Sequence, residues 1–205
     1  MTDIKVVSFR RSGTHYLMAL LWENFSLGET SGTEPVRDRK WAGEVDNGRA
    51  SIPWKRLFGG HWAHSVHKQK APWPEELNLY IVRHPYCCLR SLWLLYGAGE
   101  SFEAFCRDDR LEAWCEHVVS WLDTKAVTYE QLCASPIQTL TWIQQQYNLK
   151  RREDGPFKLV NKSVGWNPGD RAFYNPATAN PVIRERMKQI FNVVPQIRKR
   201  FGYTL

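Results

Sequence analysis

Short apolar segments alternate along the chain with longer segments of helical periodicity, and this alternation constrains the fold more than any other feature. The segments that predict strands cover residues 4–9, 57–62, 77–83 and 126–132. The clearest is LNLYIVR, which the pair His84-Pro85 ends. Buried strands that alternate with helices are typical of a parallel sheet covered on both faces. We therefore predict an α/β fold of three layers, with a central, mainly parallel sheet of four to five strands flanked by helices.

Helices are predicted over residues 15–25, 86–96, 101–122, 137–147 and 182–191. The third of these is one long helix or two in succession, with Ser101 as its N-cap. Ser135 and Asn180 each precede a proline, which is the pattern of an N-cap followed by proline at the first helical position. Residues 26–56 show no sustained period and predict an extended surface region.

Length and composition predict one domain that spans residues 1–205. A chain of 205 residues with 43% hydrophobic and 24% charged content can form a core without disulfide or metal support. It contains no run of about 18 apolar residues that would span a membrane. Its start, MTDIKVVSFRRSG, lacks the pattern of a secretory signal, so a cytoplasmic location is expected.

The cysteines predict reduced thiols rather than disulfides or a metal site. They are odd in number, lie in periodic segments and include no C-x-x-C pair. We expect most of them to be buried; they are Cys87, Cys88, Cys106, Cys115 and Cys133.

Positive charge is concentrated in the last quarter of the chain. Residues 150–205 hold 12 Lys and Arg against 4 Asp and Glu, a balance of +8, whereas the first 149 residues hold 16 against 17, a balance of −1. Such a region indicates an anionic partner: nucleic acid, a membrane surface or a small ligand with several phosphates. A solvated basic helix explains the same pattern.

The segment SFRRSGTHY follows the first predicted strand and opens the first helix. In that position the backbone N–H groups of Ser12, Gly13 and Thr14 would face an anion, with Arg10 and Arg11 as additional charged donors. The segment is not a Walker A motif, since G-x-x-x-x-G-K-[ST] is absent. An ordinary capped turn with two solvated arginines is the alternative.

Two further polar positions follow predicted strands. Arg83 ends the clearest strand, and Ser91 lies eight residues later on the next helix. Tyr129 lies near the end of another predicted strand. Ligands of open α/β sheets gather at the carboxyl ends of the strands, where an arginine can bind a phosphate through two hydrogen bonds.

Together these segments resemble the sulfotransferases that use 3′-phosphoadenosine 5′-phosphosulfate (PAPS). Arg11-Ser12-Gly13-Thr14-His15-Tyr16 is similar to that family's K/R-S-G-T-T-[WL] loop, which holds the 5′-phosphosulfate. Arg83-His84-Pro85 with Ser91 is similar to its R-[ND]-P segment and serine, which hold the 3′-phosphate. Thr128-Tyr129-Glu130-Gln131-Leu132 through Pro136 is similar to its R-Y-E-D-L-x-x-x-P. The likeness runs from residue 8 to 136, is weaker at residues 200–203, and implies a P-loop-like fold.

The resemblance also implies roles for individual residues. His61, 22 residues before Arg83, matches the family's catalytic histidine and would be the general base, with His64 and His67 as rivals. Arg11 would stabilise charge on the leaving oxygen, and Tyr16 matches an aromatic that packs on the adenine.

Two departures from the family pattern concern its basic residues. Gly59 stands where the family has a lysine two residues before the histidine. The family's C-terminal phosphate loop is only partly matched, by Lys162 and Gly165, with Arg171 as a second basic candidate.

The resemblance implies a transfer of the sulfuryl group of PAPS to a small-molecule or glycan acceptor. PAPS is the co-substrate, and the implied reaction needs no metal. No nucleic-acid partner is expected, and the oligomeric state is left open. Two alternatives stay open: a P-loop nucleotide kinase or other phosphoryl transferase, and a non-catalytic binder of nucleic acid or another polyanion. The missing Walker lysine argues against the first alternative, and the basic C-terminal quarter favours the second.

Overall fold

The computed structural model describes residues 4–26, 78–106, 108–160 and 173–205. Within these ranges three strands form one sheet: β1 (Lys5–Ser8), β2 (Asn78–Val82) and β3 (Ala126–Thr128). Their order is β1-β2-β3, and both pairings are parallel. Every residue of the central strand β2 is buried, as expected for a parallel sheet covered on both faces.

The helices of the described ranges follow the strands in chain order. They are α1 (Thr14–Asn24), α2 (Pro85–Tyr96), α3 (Phe102–Phe105), α4 (Asp108–Ser120), α5 (Tyr129–Ala134), α6 (Pro136–Tyr147), α7 (Pro181–Val193) and α8 (Pro195–Phe201). None of them is long and apolar enough to cross a membrane.

Alternate strand residues divide the core between the two faces of the sheet. On one face, Leu79 and Ile81 of β2 pack in a cluster with Leu17 of α1 and Ile143 of α6. On the other face, neighbouring residues of the same strands pack against α2, α4, α7 and α8; this cluster includes Val7, Tyr80, Val82, Cys88, Trp114, Phe191 and Ile197. The predicted three-layer α/β class with a parallel sheet is therefore confirmed.

Most predicted helices agree with the structure to within a residue or two. Residues 101–122 form two helices in succession, α3 and α4, and the Ser101 hydroxyl accepts a hydrogen bond from the Ala104 N–H at 3.1 Å. The Asn180 side chain caps α7 in the same way, accepting from two backbone N–H groups. None of the five cysteines forms a disulfide, and four are buried, as predicted; Cys133 is half-buried.

The predicted strand over residues 126–132 is wrong beyond Thr128, because α5 begins at Tyr129. The Thr128 hydroxyl accepts from the Gln131 N–H at 3.1 Å, and the Gln131 side chain accepts from the Thr128 N–H at 3.2 Å. This capping box fixes a helix start inside a segment of high β-propensity. The predicted strand over residues 57–62 lies outside the described residues, which contain three strands.

Candidate functional site

The candidate site lies where the carboxyl ends of the three parallel strands meet. The segment between β1 and α1, the residues between β2 and α2, and the start of α5 after β3 all lie at this edge. Because the strands are parallel and adjacent, the turns after them are neighbours in space. Three segments that are far apart in sequence are thus brought together.

The turn before α1 has an unusual backbone. Arg11 and Gly13 have φ angles of 65° and 94°, in the left-handed region. The Ser12 N–H donates to the carbonyl of Phe9 at 3.3 Å, and the hydroxyls of Ser8 and Thr14 share a hydrogen bond. The turn is therefore a defined loop that ends at the N-terminus of α1, where the helix dipole favours an anion.

Tyr129 requires glycine at position 13. A Cβ atom added to Gly13 would overlap Cδ2 of the Tyr129 ring and lie 2.7 Å from its Cε2. Tyr129 is itself 8% exposed. The glycine of the loop thus serves two purposes: it allows the positive φ angle and it leaves room for the aromatic ring.

The two arginines predicted to bind phosphates are joined to each other and to both partner segments. Nε of Arg11 donates to the Ser91 hydroxyl at 3.0 Å, and Nη1 of Arg83 donates to the Arg11 carbonyl at 3.4 Å. The Arg83 guanidinium carbon lies 4.6 Å from the centre of the Tyr129 ring, a cation–π distance. The structure therefore brings together Arg11, Arg83, Ser91 and Tyr129, which the sequence predicted separately.

These residues differ in how far they reach solvent. Arg83 and Ser91 are 4% and 2% exposed, and Ser12 and Thr14 are also buried. Arg11 and Gly13 are half-buried, and Arg10 is exposed. The part of the site that an incoming anion meets first is therefore the loop backbone with Arg10 and Arg11.

Cys88 of α2 supports the loop, a role that the sequence motifs do not indicate. Its thiol donates to the Arg10 carbonyl at 2.7 Å and lies 3.8 Å from the Ser12 hydroxyl. Burial raises the pKa of Cys88 to about 12, so the thiol is a neutral donor. Cys88 and Ser91 are three positions apart and share a face of α2. This spacing indicates that Cys88 lies on the same side of α2 as Ser91, although it does not indicate the contact with the loop.

His84 and Glu130 connect the site to the end of the chain. The His84 N–H donates to Oε1 of Glu130 at 3.0 Å, and its Nε2 donates to the Thr204 carbonyl at 3.3 Å. The imidazole stacks on Tyr174 with ring centres 4.0 Å apart. Burial, followed by the charge of Arg83, lowers the pKa of His84 to about 4 and makes the ring neutral. His84 is a packing residue here rather than a solvent-facing base.

The remaining predicted residues are placed as follows. Tyr16 is 5% exposed and belongs to the core cluster of α1, so its ring lies inside the protein rather than on a surface that an adenine would reach directly. His15 occupies the second position of α1. The candidate base His61, its rivals His64 and His67, and the loop residues Lys162, Gly165 and Arg171 lie outside the described residues. In the described part of the chain, no group of three or more His, Cys, Asp or Glu could hold a metal ion.

Comparisons with known proteins bear on the fold. No model of a known protein family matches the chain, and no curated protein matches its sequence. A solved structure of mouse sulfotransferase SULT7A1 complexed with PAP is similar, with a TM-score of 0.52 and 16% identity. The alignment covers 96% of this chain and 84% of that chain. The chain has a sulfotransferase-like fold. At this identity the likeness concerns the fold alone, and the α/β architecture predicted from the sequence is the part that it confirms.

Proposed function

We propose that the protein transfers a sulfuryl group from PAPS to a hydroxyl or amine acceptor. The observation that carries the proposal is the convergence of Arg11, Arg83, Ser91 and Tyr129 at the carboxyl edge of a parallel sheet, through contacts of 3.0 to 4.6 Å. The same residues form the three segments that resemble the PAPS-dependent family. The likeness of the fold to a sulfotransferase whose structure contains PAP supports the same conclusion.

The loop before α1 suits the 5′-phosphosulfate. The first turn of α1 carries no acidic residue that would repel an anion. The Ser12 N–H is bonded to the Phe9 carbonyl, so the backbone donors proposed for the ligand are the N–H groups of Gly13 and Thr14. Arg10 and Arg11 add two positive charges on the accessible side.

Arg83 and Ser91 are proposed to bind the 3′-phosphate, and Tyr129 to hold the Arg83 guanidinium in place. Arginine suits this role because its planar group donates two parallel hydrogen bonds to a phosphate. Lys162 and Gly165 are proposed to complete the phosphate site from the C-terminal part of the chain, and His15 to border the nucleotide from the first turn of α1.

The proposed reaction is an in-line displacement. The acceptor oxygen or nitrogen attacks sulfur, the bond between sulfur and the bridging oxygen of the phosphate breaks, and adenosine 3′,5′-bisphosphate (PAP) leaves. His61 takes the proton of the acceptor as general base. Arg11 stabilises the negative charge that develops on the bridging oxygen and keeps its own proton, since arginine does not deprotonate in proteins. The scheme uses no metal, and its acceptor is a small molecule or a glycan.

Calorimetric titration tests the donor class. PAP, ADP and AMP are titrated into the protein without magnesium at moderate salt, and a strong preference for PAP is expected. Equal or absent binding of the three nucleotides would contradict the proposal. Binding of ADP that requires magnesium would favour a phosphoryl transferase instead, and binding of a polyanion that collapses with salt would favour the polyanion binder. A screen with sulfur-labelled PAPS then identifies the acceptor.

A further inference from the structure

A cavity of about 430 Å³ lies beside α2, next to the site described above. It is lined by three residues of the first two turns of α2 and by three residues of the segment before α7: Tyr86, Cys87, Arg90, Phe173, Asn175 and Thr178. Its volume falls in the range of small-molecule pockets. Of the described residues that line it, Arg90 alone is charged.

The cavity adjoins the candidate phosphate residues through α2 itself. Arg90 directly precedes Ser91, whose hydroxyl accepts the hydrogen bond from Arg11. Cys87 directly precedes Cys88, whose thiol donates to the loop carbonyl of Arg10. One side of the helix thus contacts the loop, and the adjacent side forms the wall of the cavity.

Accessibility distinguishes Arg90 from Arg83. Arg83 is 4% exposed, donates to the Arg11 carbonyl and lies over the Tyr129 ring. Ser91 is 2% exposed and its hydroxyl is engaged by Arg11. Arg90 is exposed and borders an open cavity. An exposed guanidinium beside the cavity is within reach of an anionic group that enters it.

The other walls suit the rest of a nucleotide. Tyr86 and Phe173 provide aromatic surface, and Phe173 is 54% exposed. Asn175 and Thr178 add an amide and a hydroxyl. The described lining residues thus combine one cation with aromatic and uncharged polar groups, a set that favours a ligand with an anionic group next to a ring system.

We infer that this cavity receives the 3′ side of the nucleotide and that Arg90 binds its 3′-phosphate. The inference rests on the proposed function and adds to it a residue for which the resemblance gives no role. On this assignment Arg83 holds the loop from inside the protein, and Arg90 supplies the charge that faces the cavity.

Calorimetry with PAP and AMP tests this assignment, because the two nucleotides differ only in the 3′-phosphate. In Arg90→Ala, the ratio of the AMP to the PAP dissociation constant is expected to fall about ten- to hundredfold, the effect of losing one charge-assisted hydrogen-bonding partner. The affinity for AMP stays unchanged. Arg90→Lys is expected to keep most of the preference for PAP over AMP, because lysine retains the positive charge. A purely structural role of Arg90 would not predict this result.

Arg200→Gln is the matched control, since it removes one positive charge away from the site. Arg200 donates to the Thr124 carbonyl at 2.6 Å, at the amino end of β3 and thus at the opposite edge of the sheet. This variant is expected to leave the ratio unchanged. If the wild type prefers PAP and Arg90→Ala prefers it equally, the assignment of Arg90 is overturned. If the wild type binds PAP and AMP equally, the proposed function itself fails.

Discussion

Replacing Gly13 with alanine tests whether the Tyr129 ring, and not only the backbone, requires glycine in the loop. Gly13 has φ 94°, and a Cβ there would overlap the Tyr129 ring. The left-handed conformation costs an L-residue roughly 1–2 kcal/mol. Crowding a packed side chain costs typically about 1–3 kcal/mol more. Tyr129 is 8% exposed and lies under the Arg83 guanidinium, so the ring has little room to move aside.

The expected loss in free energy of unfolding for Gly13→Ala is therefore about 2–5 kcal/mol. Gly99→Ala is the matched control, because Gly99 has φ 87° but nothing within 4 Å of the added Cβ. That variant is expected to lose only the conformational part, roughly 1–2 kcal/mol. The difference between the two variants measures the contact with Tyr129.

Urea unfolding followed by circular dichroism gives both values, provided that the m-values of the variants agree. PAP titration of the same samples shows whether the loop is displaced, and Gly13→Ala alone is expected to bind more weakly. Equal destabilisation by Gly13→Ala and Gly99→Ala would refute the argument that the Tyr129 ring requires glycine at position 13.

Other parts of the site give shorter predictions. Arg83→Ala is expected to lower the preference for PAP over AMP in calorimetry, and an unchanged preference would remove Arg83 from the phosphate site. His61→Ala is expected to abolish sulfation while leaving PAP binding intact; substantial residual turnover would move the base to His64 or His67. Burial lowers the pKa of His84 to about 4 from 6.5, so the unfolded chain takes up a proton first and stability falls as pH decreases between those values. Urea unfolding from pH 7 to 4 is expected to show a loss of up to roughly 3 kcal/mol that His84→Asn removes; equal pH dependence of both proteins would count against a buried neutral ring.

Local patterns predicted the parts of the site that depend on neighbouring residues. The loop before α1 and Arg83 were predicted because each follows an apolar strand and precedes a helical pattern. The start of α5 was predicted as strand, although the Thr128-x-x-Gln131 spacing of a capping box was present in the sequence. There the capping box outweighs the β-propensity of the segment.

Local sequence patterns do not predict contacts between distant segments. The hydrogen bond of Arg11 to Ser91 spans 80 residues, and that of Cys88 to Arg10 spans 78. Both depend on how α2 lies across the loop, which is a property of packing rather than of local sequence. Tyr16 shows the converse: its place in the motif predicted a ligand contact, whereas its position on α1 puts the ring in the core.

The layout of the candidate site follows from α2. Cys88 and Ser91 contact the loop from one side of this helix, while Cys87 and Arg90 line the cavity on the adjacent side. A helix is stiff over two turns, so the loop and the cavity are held at a fixed separation. If the protein binds PAPS as proposed, that separation distinguishes PAP, which has phosphates at both the 5′ and 3′ positions, from ADP, whose second phosphate is attached to the first. ADP and PAP carry the same number of phosphates, and the fixed spacing rather than the total charge is the reason to expect the protein to distinguish them.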